Sequence, residues 1–353
     1  MLPLKEVMYV STIPAQAKAI LVSDIGGTNS NFGVFQLLDG KYQLLFSLHA
    51  KSKEVINFAD LIAQVVAYVK DTYTITIKRA CLAAAGPISQ DRMFVKPTNL
   101  LVPLDAKEIM PKANLECAFL VNDFEVIGYG ISRIDPKNLV QVNAGQAREY
   151  AHKAIIGAGT GFGKCIMIWD ALLQRYTPVV SEGGHADFPV ITQRELDLTQ
   201  YIHKYENWTC NISWEDILSG NGIQRIYHFL RHSNHIDKIS KQTSVHGPQP
   251  DEIFKSRLFD HYCWQTFEWY TTFYARCAKN FALDALALGG VYIAGGIAAK
   301  NLELFQLPQF KNEFINCGKQ QELLKQVPVY VITDYNVSLY GAAEYMMLEG
   351  LCE

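Results

Sequence analysis

Short runs in which apolar residues alternate with polar ones open the chain, and they are rich in β-branched and aromatic side chains. "AILVSD" (19–24) and "NFGVFQLL" (31–38) flank the turn "IGGTNS" and read as a hairpin, to which "KYQLLFSLHA" (41–50) adds a third antiparallel strand. The period then lengthens. "NFADLIAQVVAYVKDTY" (57–73) carries apolar residues at helical spacing, and "ITIKRACLAAAGPI" (75–88) returns as a strand closed by Gly86 and Pro87. "LECAFLVND" (115–123) is a further strand, breaking at Asn122 and Asp123 before the helix-like "FEVIGYGISR".

The same order begins again at "KAIIGAGTGFGKCIMIW" (153–169), with strand, glycine-rich turn and strand, and "ALLQRYTPVV" (171–180) as the next strand. "QTFEWYTTFYARCAKNFALDALAL" is a long amphipathic helix, "GGVYIAGGI" a strand running into a Gly-Gly turn, and "VPVYVITD" a last strand. Two halves that each open with a glycine-turned hairpin predict an internal structural duplication. The polar stretch 231–252 reads as a surface loop. The aromatic-rich part of the long helix reads as core or dimer packing rather than a ligand stripe.

A chain of 353 residues is long enough for two domains with a cleft between them. Hydrophobic content of 49%, 19% charged residues and a net charge of −3 give no basic surplus, which argues against nucleic acid and anionic lipid as partners. The eight cysteines are dispersed and never form CxxC, as expected of reduced thiols in the cytoplasm. The apolar patch near the N-terminus, followed by "AQA" at 15–17, resembles a poor signal peptide, but it carries Ser, Thr and Pro and the first strand begins almost at the cut. No apolar run approaches the roughly 18 residues of a membrane span, so a soluble protein is expected.

Glycine turns let backbone N–H groups close on an anion that a β-carbon would hold away. "GAGTGFGKC" (157–165) is not a P-loop, because Ala158 replaces the first glycine and Cys165 the magnesium-binding Ser or Thr; nor does it fit G-x-G-x-x-G, since Phe162 breaks the frame. Either turn alone reads equally well as a tight hairpin. Both together, with the Gly295–Gly296 pair, point to a nucleotide.

With these residues in place the chain resembles the bacterial glucokinases of the hexokinase, actin and Hsp70 superfamily, over nearly its whole length and in the family's motif order. "DIGGTN" (24–29), "NDF" (122–124), "GAGTGFG" (157–163), "EGGHADF" (182–188), "EDILSGNGI" (215–223) and "GGVYIAGGI" (289–297) carry the resemblance. It implies an α/β, two-domain actin-like ATPase (ribonuclease H-like) fold with an active-site cleft, a small domain of 1–133 plus 338–353 and a large domain of 134–337. It also implies ATP-dependent phosphorylation of glucose to glucose 6-phosphate, the entry step of glycolysis, with Mg²⁺ and a homodimer.

The resemblance makes Asp123 the general base, although an "ND" pair taken alone reads more readily as a helix N-cap. It makes Asn99, Asn122, Asp123, Glu182, His185 and Glu215 the sugar contacts. Donors and acceptors of this kind suit a ligand made of hydroxyls, although a lone Glu or His reads first as a solvated or structural residue. Asn99 departs from the family pattern because the tryptophan that commonly follows is missing. Ser23, Asp24, Ile25, Gly26, Gly27, Thr28, Asn29, Gly157, Gly159, Thr160, Gly161, Gly220, Gly295 and Gly296 are the implied nucleotide contacts, with Asn221 beside Gly220. Asp24 faces Mg²⁺ through water, the alternative being an Asx turn. Cys210 without a CxC neighbour excludes the zinc motif of related sugar kinases. Competing readings are a kinase for fructose, mannose or an N-acetylhexosamine, a catalytically silent sugar sensor, and an actin-like filament or chaperone switch. The last does not explain Glu182, His185 and Glu215.

Overall fold

The computed structural model describes residues 2–14, 18–38, 40–232 and 247–349. The "AQA" at 15–17, most of the polar stretch 231–252 and Cys352 lie outside the described residues. The chain divides into two compact units, Met1–Pro136 with Leu172–Val180 and Asp334–Glu353, and Lys137–Ala171 with Ser181–Thr333. The sequence assigns 172–180 to the second domain. The structure instead ties that segment to the end of the chain, where the Arg175 guanidinium lies 3.2 Å from the Glu349 carboxylate.

The first unit holds strands β1 (Lys5–Met8), β2 (Ala19–Ile25), β3 (Asn29–Leu38), β4 (Lys41–Lys51), β5 (Ile77–Ala84), the short pair β6 (Phe94–Val95) and β7 (Leu104–Asp105), and β8 (Cys117–Asn122). Its sheet runs β1-β4-β3-β2-β5-β8, antiparallel as far as β2 and parallel from β2 through β5 to β8. Strand β2 is buried at nearly every position, as a central strand covered on both faces must be. The helix Phe58–Tyr73 covers one face. It starts where the Asn57 side chain accepts the Asp60 N–H at 3.1 Å, and it packs Leu61, Ile62 and Val65 among Leu21, Phe46 and Leu82.

The opposite face is closed by Val337–Leu348, whose Leu339, Ala342 and Met346 meet Val22, Phe35 and Val121. This helix also lies against the helix Asp123–Gly130 with no room for side chains between them. A Cβ on Gly341 would stand 1.6 Å from the Val126 carbonyl oxygen, and one on Gly130 would stand 2.1 Å from that of Val337.

The second unit holds β9 (Leu139–Asn143), β10 (Lys153–Ala158), β11 (Phe162–Asp170), β13 (Val291–Ala294) and β14 (Val329–Ile332), while β12 (Arg175–Ser181) straddles the division. These five strands run β11-β10-β13-β14-β9, with β10 antiparallel to β11 and parallel to β13, and β13 parallel to β14. The set β3-β2-β5-β8 of the first unit and the set β11-β10-β13-β14 of the second share one plan, an antiparallel hairpin continued by two parallel strands. That is the duplication predicted from the pattern. The helix His261–Asp284 buries Phe267, Tyr270, Tyr274 and Cys277 completely or nearly so, and its aromatic stripe is core. Among the described residues no helix is long and apolar enough to cross a membrane.

Candidate active site

In the first unit strand register decides what shares an edge. Ile25 is level with Ala84 of β5, and Ala84 with Asn122 of β8. The turn after β2 and the helix after β8 therefore leave the same end of the sheet, two strand spacings or roughly 10 Å apart, at the carboxyl edge where open α/β sheets bind ligands. The turn is closed by the Gly26 N–H donating to the Asn29 carbonyl at 3.0 Å, and Thr28 is tied to the chain after β4 through Ser52 N–H, also at 3.0 Å. Ser23 and Ile25 point into the core and offer only main chain at this edge. Gly27 is buried, while Thr28 and Asn29 are exposed.

Asp24 alternates with Ser23 and Ile25 and stays partly open. Its Oδ2 accepts the Ser338 hydroxyl at 2.6 Å. Loss of solvent pushes the Asp24 carboxyl above its ordinary value, and the Ser338 hydrogen bond opposes that shift. A crowded carboxylate such as this, beside the turn 26–29 and outside any cluster of three His, Cys, Asp or Glu among the described residues, is of the kind that suits Mg²⁺, which is commonly held by one or two carboxylates together with substrate phosphates and water.

Asn122 is a helix cap. Its Oδ1 accepts the N–H groups of Phe124 at 2.9 Å and Glu125 at 3.2 Å, and its amide donates to the Gly86 carbonyl at 3.3 Å. Asp123 is the first residue of the helix, half-buried, with Oδ1 accepting the Phe124 N–H at 3.0 Å. The cap reading of the "ND" pair thus belongs to Asn122, and it fixes the neighbouring carboxylate at the sheet edge. Asn99 is exposed on a turn whose Thr98 packs on Gly86, the residue bonded to Asn122.

In the second unit the three glycine segments touch. Gly157 of β10 is level with Ala294 of β13 and faces Gly163 across the hairpin. The Gly159 N–H donates to Gly161 O at 2.8 Å, and the Gly220 N–H donates to Gly159 O at 3.1 Å. Gly295 has φ +92, and a Cβ there would stand 2.4 Å from Ala158 O. Nothing lies within 4 Å of where a Cβ would stand on Gly159 or Gly296. These turns therefore present open backbone, as a site for phosphates and a nucleoside requires; Thr160 sits in the same turn.

The segments holding Glu182, His185 and Glu215 both meet Phe162 at the start of β11. Glu182 precedes the short turn Gly183–His185 and His185 ends it, both exposed, with His185 Nε2 3.8 Å from Glu182 Oε2. Gly184 lies so close to β11 that a Cβ would stand 1.8 Å from the Phe162 carbonyl oxygen. Glu215 Oε2 accepts the Phe162 N–H at 2.7 Å, which ties the "EDILSGNGI" segment to the turn 157–161 through one carboxylate oxygen.

Sequence reasoning missed Ser338 and Arg92. Ser338 is the one serine in a largely apolar helix, and that small polar residue was the only signal. Arg92 holds Glu125 through both terminal nitrogens and carried no local signal.

The glucokinase family model matches residues 21–349. A glucokinase of Nostoc punctiforme is 33% identical over 346 residues, covering 92% of this chain and 97% of that one. Among solved structures, a glucokinase from an Antarctic psychrotroph superposes with TM-score 0.74 at 28% identity over 94% of this chain and 99% of its own. A glucokinase from Balamuthia mandrillaris, solved in complex with glucose, superposes with TM-score 0.76 at 22% identity over 93% of each chain and speaks to fold alone. The architecture is the actin-like ATPase fold. With the family model spanning β2 to the C-terminal helix and the sheet edges carrying its motifs in order, the chain belongs to the glucokinase family.

Proposed function

We propose that this chain transfers the γ-phosphoryl group of ATP to the 6-hydroxyl of glucose, with Asp123 as general base. The observation that carries the reading is the register Ile25–Ala84–Asn122, which sets the first phosphate turn and the Asp123 carboxylate at one sheet edge. Phosphoryl transfer asks the protein chiefly to position and neutralise. Asp123 accepts the proton as the sugar oxygen bonds to the γ-phosphorus, and the bond from phosphorus to the bridging oxygen breaks with its electron pair leaving on ADP.

Asn99, Asn122, Glu182, His185 and Glu215 hold the sugar hydroxyls. The turns at 26–29 and 157–161 offer N–H groups to the phosphates, and Gly220, Gly295 and Gly296 flank the adenosine. Asp24, oriented by Ser338, faces Mg²⁺, which when bound neutralises charge on the phosphate oxygens. We place the enzyme in the cytoplasm as a magnesium-dependent homodimer at the entry to glycolysis; light scattering at working concentration tests the assembly.

Steady-state kinetics over glucose, fructose, mannose and N-acetylglucosamine, with ATP, ADP and polyphosphate as donors, test the reading. Glucose with ATP is expected to give the highest kcat/KM. A higher value for another hexose would reassign the substrate, and no sugar-dependent release of ADP on any of them would leave a sugar sensor.

A further inference from the structure

Asp123 sits on a segment gripped from both sides by one residue. Arg92 lies in the tight turn before β6, where its N–H donates to Ser89 O at 2.8 Å. Its carbonyl accepts the Leu120 N–H at 2.9 Å, on strand β8 three residues before Asp123. Its guanidinium donates to both carboxylate oxygens of Glu125, two residues after Asp123, at 2.9 and 3.1 Å. Glu125 is only 7% exposed. The same guanidinium carbon lies 5.2 Å from the ring centre of Tyr345 on the C-terminal helix.

Arg92 holds φ +55 to make these contacts. A left-handed conformation at a residue with a long side chain persists only where its surroundings over-determine it, and such residues gather at functional sites. A partly buried ion pair such as this one is by itself a poor source of stability, because desolvation offsets the attraction. Its two-pronged geometry does fix direction, and what it fixes here is the strand-to-helix junction that carries Asn122 and Asp123.

We propose that Arg92 is a positioning residue for the catalytic carboxylate, clamping Leu120 with its main chain and Glu125 with its side chain so that Asp123 stands where the sugar hydroxyl reaches it. The proposal rests on the reading of Asp123 as the base. A misplacement of the order of 1 Å costs about 10²-fold in a positioned reaction, and that sets the size of the expected effect.

The test is a double-mutant cycle between Arg92→Met and Asp123→Asn on the full chain, with glucose binding followed by intrinsic fluorescence and folding by circular dichroism. Arg92→Met is expected to lower kcat by about 10-fold to 100-fold, with the KM for glucose and for ATP changed less than about threefold. In the Asp123→Asn background the same substitution is expected to change kcat little, because residues that act as one unit are not additive.

Arg92→Lys, which keeps the charge and loses the fork, is expected to fall between wild type and Arg92→Met. Should Arg92→Met not fold, Glu125→Gln, which keeps shape and one acceptor, takes its place in the cycle with the same expectation at smaller size. An unchanged kcat, or the same fold-loss with and without Asp123, overturns the clamp. A near-normal rate for Asp123→Asn alone overturns the base, and so the two failures are told apart.

Discussion

The Ser338 hydroxyl, on the helix that closes the chain, lies 2.6 Å from Oδ2 of Asp24 at the end of β2, 314 residues away in sequence. The hydrogen bond favours the charged carboxylate, while burial disfavours it more strongly and leaves the Asp24 pKa above its ordinary value. A carboxyl with a raised pKa in the folded state binds its proton more tightly there than when unfolded. Its contribution to stability is therefore favourable below the unfolded pKa, and it is lost as pH rises through the folded one. Asp24→Asn is thus expected to raise the Tm of the ligand-free protein by a few degrees at neutral pH. The gain should shrink as pH falls from the raised folded value toward the ordinary carboxyl value, and the variant is expected to lose activity. Calorimetry against pH checks it; a Tm gain that is constant with pH would show that Asp24 does not carry this burial cost.

Asp123 is the carboxylate proposed as general base. Asp123→Asn preserves the size of the group and its acceptor for the Phe124 N–H, and folding is expected to be unaffected. Loss of a general base costs about 10²-fold to 10⁴-fold. The variant should lose kcat by that factor while binding glucose and ATP as before, and a rate within a few-fold of wild type would remove Asp123 from the role.

Glu215 has one observed contact and one proposed contact, which substitution can separate. Oε2 accepts the Phe162 N–H beside the turn 157–161, and the other oxygen is the one proposed to meet the sugar. Glu215→Gln keeps an acceptor for Phe162, so it should raise the KM for glucose by about tenfold or more, the size of one lost charged hydrogen bond, and leave that for ATP nearly unchanged. Glu215→Ala frees the Phe162 N–H as well and should raise both. Equal effects of the two variants on ATP would separate the turn from the sugar segment.

Much of this architecture follows from local pattern. The two glycine-turned hairpins, the helix Phe58–Tyr73 and the long buried helix all announce themselves through period and turn residues, since each buries a continuous apolar stripe. Strand β1 does not, because its residues are largely exposed and show no inward face. Strand β9 is short, lies at a sheet edge and shows no alternation strong enough to read. The strand read from Ala171 begins only at Arg175, after a turn in which Gln174 takes φ +50.

Site residues divide along the same line. Asn122, Asp123 and the glycines sit in motifs, where turn chemistry and the proposed ligand chemistry coincide. Ser338 and Arg92 act only through partners far away in sequence or across a turn, and nothing in their neighbours foretells those partners.

The last prediction concerns the two glycines after β13, which are adjacent yet differ in what they face. Gly295 has φ +92, and a Cβ there would stand 2.4 Å from Ala158 O, so Gly295→Ala forces both a left-handed alanine and a backbone collision. Strain at such a position costs on the order of 1–3 kcal/mol. The variant is expected to lose several degrees of Tm along with ATP binding. Gly296 has nothing within 4 Å of where a Cβ would stand, and it is the first residue of the helix Gly296–Lys300. Gly296→Ala should therefore leave the Tm unchanged, since the fold has room for a methyl group. If adenosine packs on that open backbone, the methyl group intrudes on the ligand alone, and the KM for ATP should rise about tenfold while that for glucose stays put, a methylene-sized mismatch being worth about 1–3 kcal/mol. Parallel thermal melts and ATP titrations of the two variants decide it. An unaltered KM for ATP in Gly296→Ala would place the nucleoside elsewhere on the second unit.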